Sequence, residues 1–325
     1  MSSSSPTASQ QAGGRRVGPP ARRLLGLLGI FALMLASCGL GPGATPSAIQ
    51  LTVTEGFGAK GVGLRGLPKA RGQETVMSLL MRNYKVNTRY GGGFVQSIDG
   101  HSGGTSAGDP VDWFYYVNGV EAKMGAADTN VHPGDHIWWD LHDWSQTDDV
   151  PAVVGSFPEP FLHGIAGKRL PVRVECTEVG GEACNTVVAR LRAAGVPAAI
   201  AAIGPGDEPS TLRVLVGVWP AVRGTPATQA IERGPRASGV YARLPEGGQT
   251  LTLLDDHGRA TRTLAAGAGL VAATRYAEGA PEWVVTGTST VGVSRAARAF
   301  SQAALRNHFA LAIEPSGRAL PVPSP

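Results

Sequence analysis

Charge of one sign, long apolar runs and enzyme signatures are all missing from most of this 325-residue chain, and aromatics make up only 6% of it. The formal net charge of +4 equals the four arginines Arg15, Arg16, Arg22 and Arg23, and residues 1–37 carry no acid, so the remainder is formally neutral. A neutral body gives no electrostatic support for nucleic-acid binding. No segment reaches the roughly 20 apolar residues of a membrane-spanning helix. Gly-x-Ser-x-Gly spacing occurs only within the loop from Gly100 to Gly108, which is rich in Gly, Ser and Thr, and Gly-x-Gly-x-x-Gly spacing only between Gly56 and Gly66, where no helical pattern follows; there is no His-Glu-x-x-His and no phosphate loop, so neither an enzyme nor a resident cofactor is expected. Cysteine is also scarce: Cys38, Cys176 and Cys184 are the only three.

What is present begins at the N-terminus. Four arginines precede the apolar stretch Leu24 to Ala36, and small residues follow, which is the plan of a secretory signal. Leu35, Ala36, Ser37 and Cys38 resemble a bacterial lipobox. The resemblance implies cleavage after residue 37, acylation of Cys38 and residence on the extracytoplasmic face of the cell membrane. Acyl chains, at about 0.8 kcal/mol per buried CH₂, hold a protein on a bilayer without a span. With Cys38 so used, Cys176 and Cys184 remain as an even pair. A disulfide is expected of them in an oxidising compartment, free buried thiols being the alternative.

Composition then divides the chain. Residues 38–48, rich in Gly and Pro, read as a flexible tether. Residues 49–146 contain an alternating strand from Ile49, a helical pattern from Glu74 to Arg82 and two aromatic strands, which together describe a compact α+β domain. A Pro-containing linker is expected over 147–168. Residues 169–314 alternate strands and helices in an α/β or α+β layered domain of unassigned role. Its strands are expected at Leu170–Cys176, Leu212–Trp219, Gln249–Asp255 and Glu282–Thr286, and its helices at Asn185–Ala194, Gly267–Tyr276 and Gly292–Asn307. The tail, 315–325, reads as disordered.

The chemistry concentrates between Asp112 and Trp144, which hold four of the six tryptophans. Along the second aromatic strand, alternation separates Ile137, Trp139 and Leu141, a core face, from His136, Trp138, Asp140, His142 and Trp144. The second set reads as a half-exposed face that grips something planar, or as a second packing face. Trp113, Tyr116, Trp138, His142 and Trp144 are the candidate ligand-binding residues. The histidines His132, His136 and His142, with Asp140 and Asp143, do not make a metal site, because strand periodicity sends neighbours to opposite faces.

Thr75 to Leu80, Phe94 to Ile98, Trp113 with Tyr116, Val117, Asn118 and Gly119, and Gly134, Asp135, Ile137 and Trp139 together resemble the bacterial transcobalamin-like C-terminal domain family, otherwise described as a domain of unknown function. The resemblance covers 49–146 and implies a β-grasp-like fold. In the animal cobalamin carriers similar to that family, the related domain closes over one face of the ligand and a helical barrel supplies the other; residues 169–314 lack the repeated helices of such a barrel. The resulting expectation is a non-enzymatic, membrane-anchored lipoprotein that captures a corrinoid or another flat ligand for a membrane transporter. The alternative is an envelope module that contacts a protein or polysaccharide through the same face.

Overall fold

In the computed structural model, residues 48–63, 69, 71–204 and 208–325 are described. The signal segment and Cys38 lie outside the described residues, as does nearly all of the tether.

The first region supplies β1 (Gln50–Glu55), β2 (Lys60–Gly63), α1 (Val76–Asn83), β3 (Val86–Arg89), β4 (Phe94–Ile98), β5 (His101–Ser102), β6 (Gly104–Ser106), β7 (Asp109–Val117), β8 (Val120–Glu121) and β9 (His136–Asp143). One sheet runs β2-β1-β9-β7-β6, with β8 paired to β7, and a small sheet runs β3-β4-β5. β1 lies parallel to β9, whereas β7 is antiparallel to it. Thr75 and Ser78 form a capping box that starts α1, satisfying backbone N–H groups a helix leaves without partners. Val76, Met77, Leu79 and Leu80 are buried by α1, in a core shared with Trp113, Tyr115, Ile137 and Trp139. Asn118 and Gly119 form the two-residue turn between β7 and β8, both with positive φ, as a primed hairpin turn requires.

The second region contains β10 (Val172–Cys176), α2 (Glu182–Ala193), β11 (Ala199–Ala202), β12 (Leu212–Val218), α3 (Trp219–Val222), α4 (Pro226–Arg233), α5 (Pro235–Ser238), β13 (Ala242–Arg243), β14 (Leu251–Leu254), β15 (Ala260–Leu264), β16 (Gly269–Thr274), β17 (Glu282–Gly287), α6 (Thr290–Ala299), α7 (Gln302–Leu305), β18 (Ala310–Ile313) and β19 (Ala319–Val322). A seven-stranded sheet has the order β11-β10-β12-β17-β16-β18-β19, parallel from β11 to β17 and antiparallel thereafter. Its central strands are apolar over Val214 to Val216, Leu270 to Ala273 and Trp283 to Val285, as strands covered on both faces are, and the buried Arg213 of β12 is paired with Glu175 and Glu282. α2 and α6 contribute to the core on one face, with Val187, Leu191, Val293 and Ala297. The small sheet β13-β14-β15 contributes to the other. The fold class is therefore α+β, with several sheets.

Three expectations are corrected. The stretch Gly267–Tyr276 is the strand β16, not a helix, and every residue from Gly269 to Thr274 is buried. The tail is ordered, because Ala319–Val322 pairs with β18. The supposed linker is a packed wedge: Val150, Ala152, Val153, Val154, Phe157 and Phe161 are all buried. Val153 N–H donates to Gly119 O and Val154 N–H to Phe309 O, so this segment is bonded to both regions. A single core cluster joins Phe57, Tyr116 and Trp138 to Leu215, Trp219, Tyr241 and Phe309, and the described residues belong to one compact unit. At Gly58, where φ is +83°, a Cβ would stand 1.9 Å from Asn307 O, so only glycine permits this approach between the regions.

Candidate functional site

The β7–β9 ladder sets the aromatic side chains. Register places Trp113 opposite Leu141, Tyr115 opposite Trp139 and Tyr116 opposite Trp138. Trp113 and Tyr115 therefore pack toward α1, and Tyr116 and Trp138 toward the second region. The face expected to be half exposed is closed: His136, Trp138, Asp140 and His142 are each at most 3% exposed. The physical reason is occupancy. Phe309 meets Trp138 at a centroid distance of 5.2 Å, Tyr116 at 5.5 Å and His142 at 5.4 Å, so the second region fills the place left for a planar ligand. Of the five candidates, Trp113, Tyr116, Trp138 and His142 are buried, and Trp113 lies on the opposite face from Tyr116 and Trp138. Trp144 alone reaches solvent, donating from Nε1 to Asp112 Oδ2 at 3.1 Å.

A carboxylate organises this buried face. Asp140 Oδ2 accepts from Thr54 Oγ1 at 2.5 Å and from Gly58 N at 2.8 Å; its Oδ1 accepts from Phe57 N at 2.9 Å and bonds His142 Nδ1 at 2.9 Å. Thr54 in turn accepts from Trp138 Nε1 at 2.7 Å. The His142 ring lies between Phe57 and Phe114, at 4.4 and 4.5 Å. This arrangement holds rings in place and presents no nucleophile to solvent, which is structural work. His132, His136 and His142 do not form a common metal group with Asp140.

The family-bearing residues have a similar role. Asn118 Nδ2 donates to Asp135 Oδ1 and to Gly164 O, both at 2.8 Å, and Asn118 Oδ1 accepts from His136 N at 2.8 Å. Asp135 Oδ2 accepts from His132 N at 2.7 Å. The Val-Asn-Gly and Gly-Asp elements are thus two halves of one latch at one end of the ladder.

Sequence reading missed a cavity in the second region. From β10 the chain crosses through α2 to β11 on one side, then returns to place β12 on the other side of β10. Such a reversal opens a crevice at the carboxyl ends of the two strands. A cavity of about 540 Å³ lies there, between Cys176, Val216 to Val218, the first turn of α2 and the start of α6. Thr177, Glu178 and Ser294 give it polar groups; Val216, Val218 and Val293 give it apolar wall. The expected disulfide is present: Cys176 and Cys184 are joined, with Cα atoms 5.9 Å apart, and both line this cavity. The signal that could have found it was the order strand, Cys-Thr-Glu loop, helix.

Residues 73–143 match the family model described as a domain of unknown function, DUF4430. The matched span takes in α1, the β7–β8 hairpin and β9, less than half of the chain, and this part is similar to that family. No curated protein matches the chain. No helix among the described residues is long and apolar enough to cross a membrane.

Proposed function

We propose that this chain is a non-enzymatic, extracytoplasmic binding lipoprotein, anchored by acylated Cys38, whose ligand enters the cavity between β10 and β12. The observation that carries the reading is that cavity: its position at the reversal of strand order and its volume both suit a small ligand. The Cys176–Cys184 disulfide in its wall supports an oxidising compartment. The first region supports a β-grasp-like arrangement, because its first and last strands run parallel side by side with one helix packed across them. In this reading that region is the base of the molecule. Its aromatic face is spent on holding the second region, so a corrinoid or an envelope partner would find neither Trp138 nor Tyr116 accessible.

The test is a titration of the full chain with cobalamin and cobinamide, followed by tryptophan fluorescence and corrin absorbance, beside a screen of small anions and amphiphiles. The expected outcome is no corrinoid binding, together with saturable binding of a smaller ligand that Ser294→Trp abolishes by filling the cavity. Corrinoid binding weakened by Trp138→Ala but not by Ser294→Trp would restore the aromatic face as the site. Anchoring is tested separately: the full chain should incorporate labelled palmitate in cells, and Cys38→Ala should not.

A further inference from the structure

At the end of the β7–β9 ladder opposite the Asn118 latch, a turn of the second region meets the first. His257, between β14 and β15, places Nε2 3.0 Å from Asp109 Oδ2 at the start of β7 and 4.0 Å from Asp143 Oδ2 at the end of β9. One donor atom from each of the three residues falls within 4.8 Å of the other two. The side chain of Asp143 is buried, whereas those of Asp109 and His257 are 37% and 31% exposed, so the group is open to water on one side. The other ring nitrogen, Nδ1, bonds Asp256 Oδ1 at 2.6 Å, which fixes the ring and directs Nε2 at the two aspartates.

A second observation is a buried hydroxyl within the field of these carboxylates. Tyr241 is 1% exposed and its hydroxyl has no hydrogen-bond partner among the described residues. Burial first, and then the carboxylates of Asp143 and Asp256, push this hydroxyl away from ionisation, so it feels the charge of one member of the group and of the carboxylate that supports His257. A buried hydroxyl left without a partner normally marks a missing water or ion.

We propose that Asp109, Asp143 and His257 bind one divalent transition cation, Zn²⁺ being the best match, with water completing the coordination. Two ligand atoms bonded to one zinc at about 2.0–2.2 Å stand at most about 4.4 Å apart, and the separations of 3.0 and 4.0 Å fall within that reach. Two carboxylates balance the ion's charge, imidazole favours a transition metal over calcium or magnesium, and a carboxylate on the far ring nitrogen is the usual support for a ligating histidine. Asp255 stands outside the set, because its oxygens accept from His257 N, Arg259 N and Arg259 Nε. The rival arrangement, a protonated His257 pinned among the carboxylates of Asp109, Asp143 and Asp256, sets one positive charge against three negative ones. The cation would clasp the two regions at a place remote from the proposed ligand cavity, so the proposal does not depend on that reading.

The experiment is calorimetric titration of the chelator-stripped full chain with Zn²⁺, and with Mn²⁺ and Ca²⁺ for comparison. One zinc per chain is expected, bound at micromolar concentration or tighter. Asp143→Asn and His257→Gln should each weaken it at least tenfold, Asp256→Asn by about tenfold, as loss of a supporting carboxylate does, and Glu208→Gln should leave it unchanged. X-ray absorption of the unmutated chain loaded with Co²⁺ gives a readout independent of whether a variant folds, expected to show one imidazole and otherwise oxygen ligands. No binding, equal binding by His257→Gln, or a sulfur shell from Cys38 would overturn the proposal and leave the cluster as an ion-paired pin.

Discussion

Phe309 stands edge-on to Trp138, ring planes at 75° and centroids 5.2 Å apart. One ring from just before β18 thereby seals the face that β9 turns away from α1, and the same ring reaches Phe57 at 5.1 Å. Phe309→Ala is expected to cost about 3–5 kcal/mol, the range for removing a buried aromatic ring. Equilibrium denaturation measures the loss, and tryptophan emission should shift to the red as Trp138 gains water. An unshifted spectrum with unchanged stability would mean that the two regions do not depend on this contact.

Asp140 gives a second prediction. Its carboxylate accepts from one hydroxyl and two backbone N–H groups, so Asp140→Asn turns an amide N–H₂ toward donors and leaves at least one of them unmet. The expected cost is about 2–4 kcal/mol, since a buried unpaired polar group forfeits its full desolvation energy. Thr54→Val should cost a similar amount, because it removes one donor from the carboxylate and also leaves the buried Trp138 Nε1–H without its acceptor. A urea midpoint that falls with unchanged slope would identify the effect as stability alone.

The pH dependence has two flanks. Burial, and then the charge of Arg306, push His136 down to about 3, so the folded state holds it neutral. Its contribution is present above the ordinary histidine range, near 6.5, and is lost as pH falls toward 3. Burial pushes Glu121 up to about 8, so the folded state holds its proton. That contribution is complete below the ordinary carboxyl range, near 4.5, and is lost as pH rises through 8. Stability should therefore peak in weakly acidic solution. His136→Asn should flatten the acid limb and Glu121→Gln the alkaline limb, as read from thermal midpoints between pH 4 and 9.

The disulfide spans eight positions from Cys176 to Cys184. Closing so short a loop removes chain entropy equivalent to about 2–3 kcal/mol from the unfolded state. The Cys176→Ser/Cys184→Ser double variant should lose roughly 5–10 °C in melting temperature. Ligand binding in the cavity should weaken with it, because the bridge ties the end of β10 to the first turn of α2.

Much of this architecture was legible in the sequence, and the failures share a cause. β1, α1, α2, β10, β12 and β17 announce themselves by alternation, capping or apolar runs between turns. β16 did not, because Gly269 to Thr274 is apolar at every position except its ends, and a strand buried on both faces has no period to distinguish it from a buried helix. The tail failed for another reason: terminal residues fray unless tied down, and Ala319–Val322 is tied down along β18 as an edge strand, where Pro321 is tolerated. Alternation along β9 separated the two faces correctly. It could not say that the polar and aromatic one is covered, because the covering residues, Tyr241 and Phe309, lie about 100 or more positions downstream and carry no local mark of their target. The His257 cluster was invisible for the same reason, since its members come from the start of β7, the end of β9 and the turn between β14 and β15.

The parallel pairing of β1 with β9 means that the recognisable sequence and the foldable piece are different lengths. The family match begins at residue 73, after β1 has already been laid beside β9. A fragment trimmed to residues 73–143 would bare the flank of a six-stranded sheet along Gln50's former partners, while also stripping Phe309 from the rings of Tyr116 and Trp138. Unpaired strand edges beside exposed aromatics are templates for self-association. The inheritable signature of this chain is therefore not a portable part, and grafting it elsewhere would require carrying its first strand and a substitute lid.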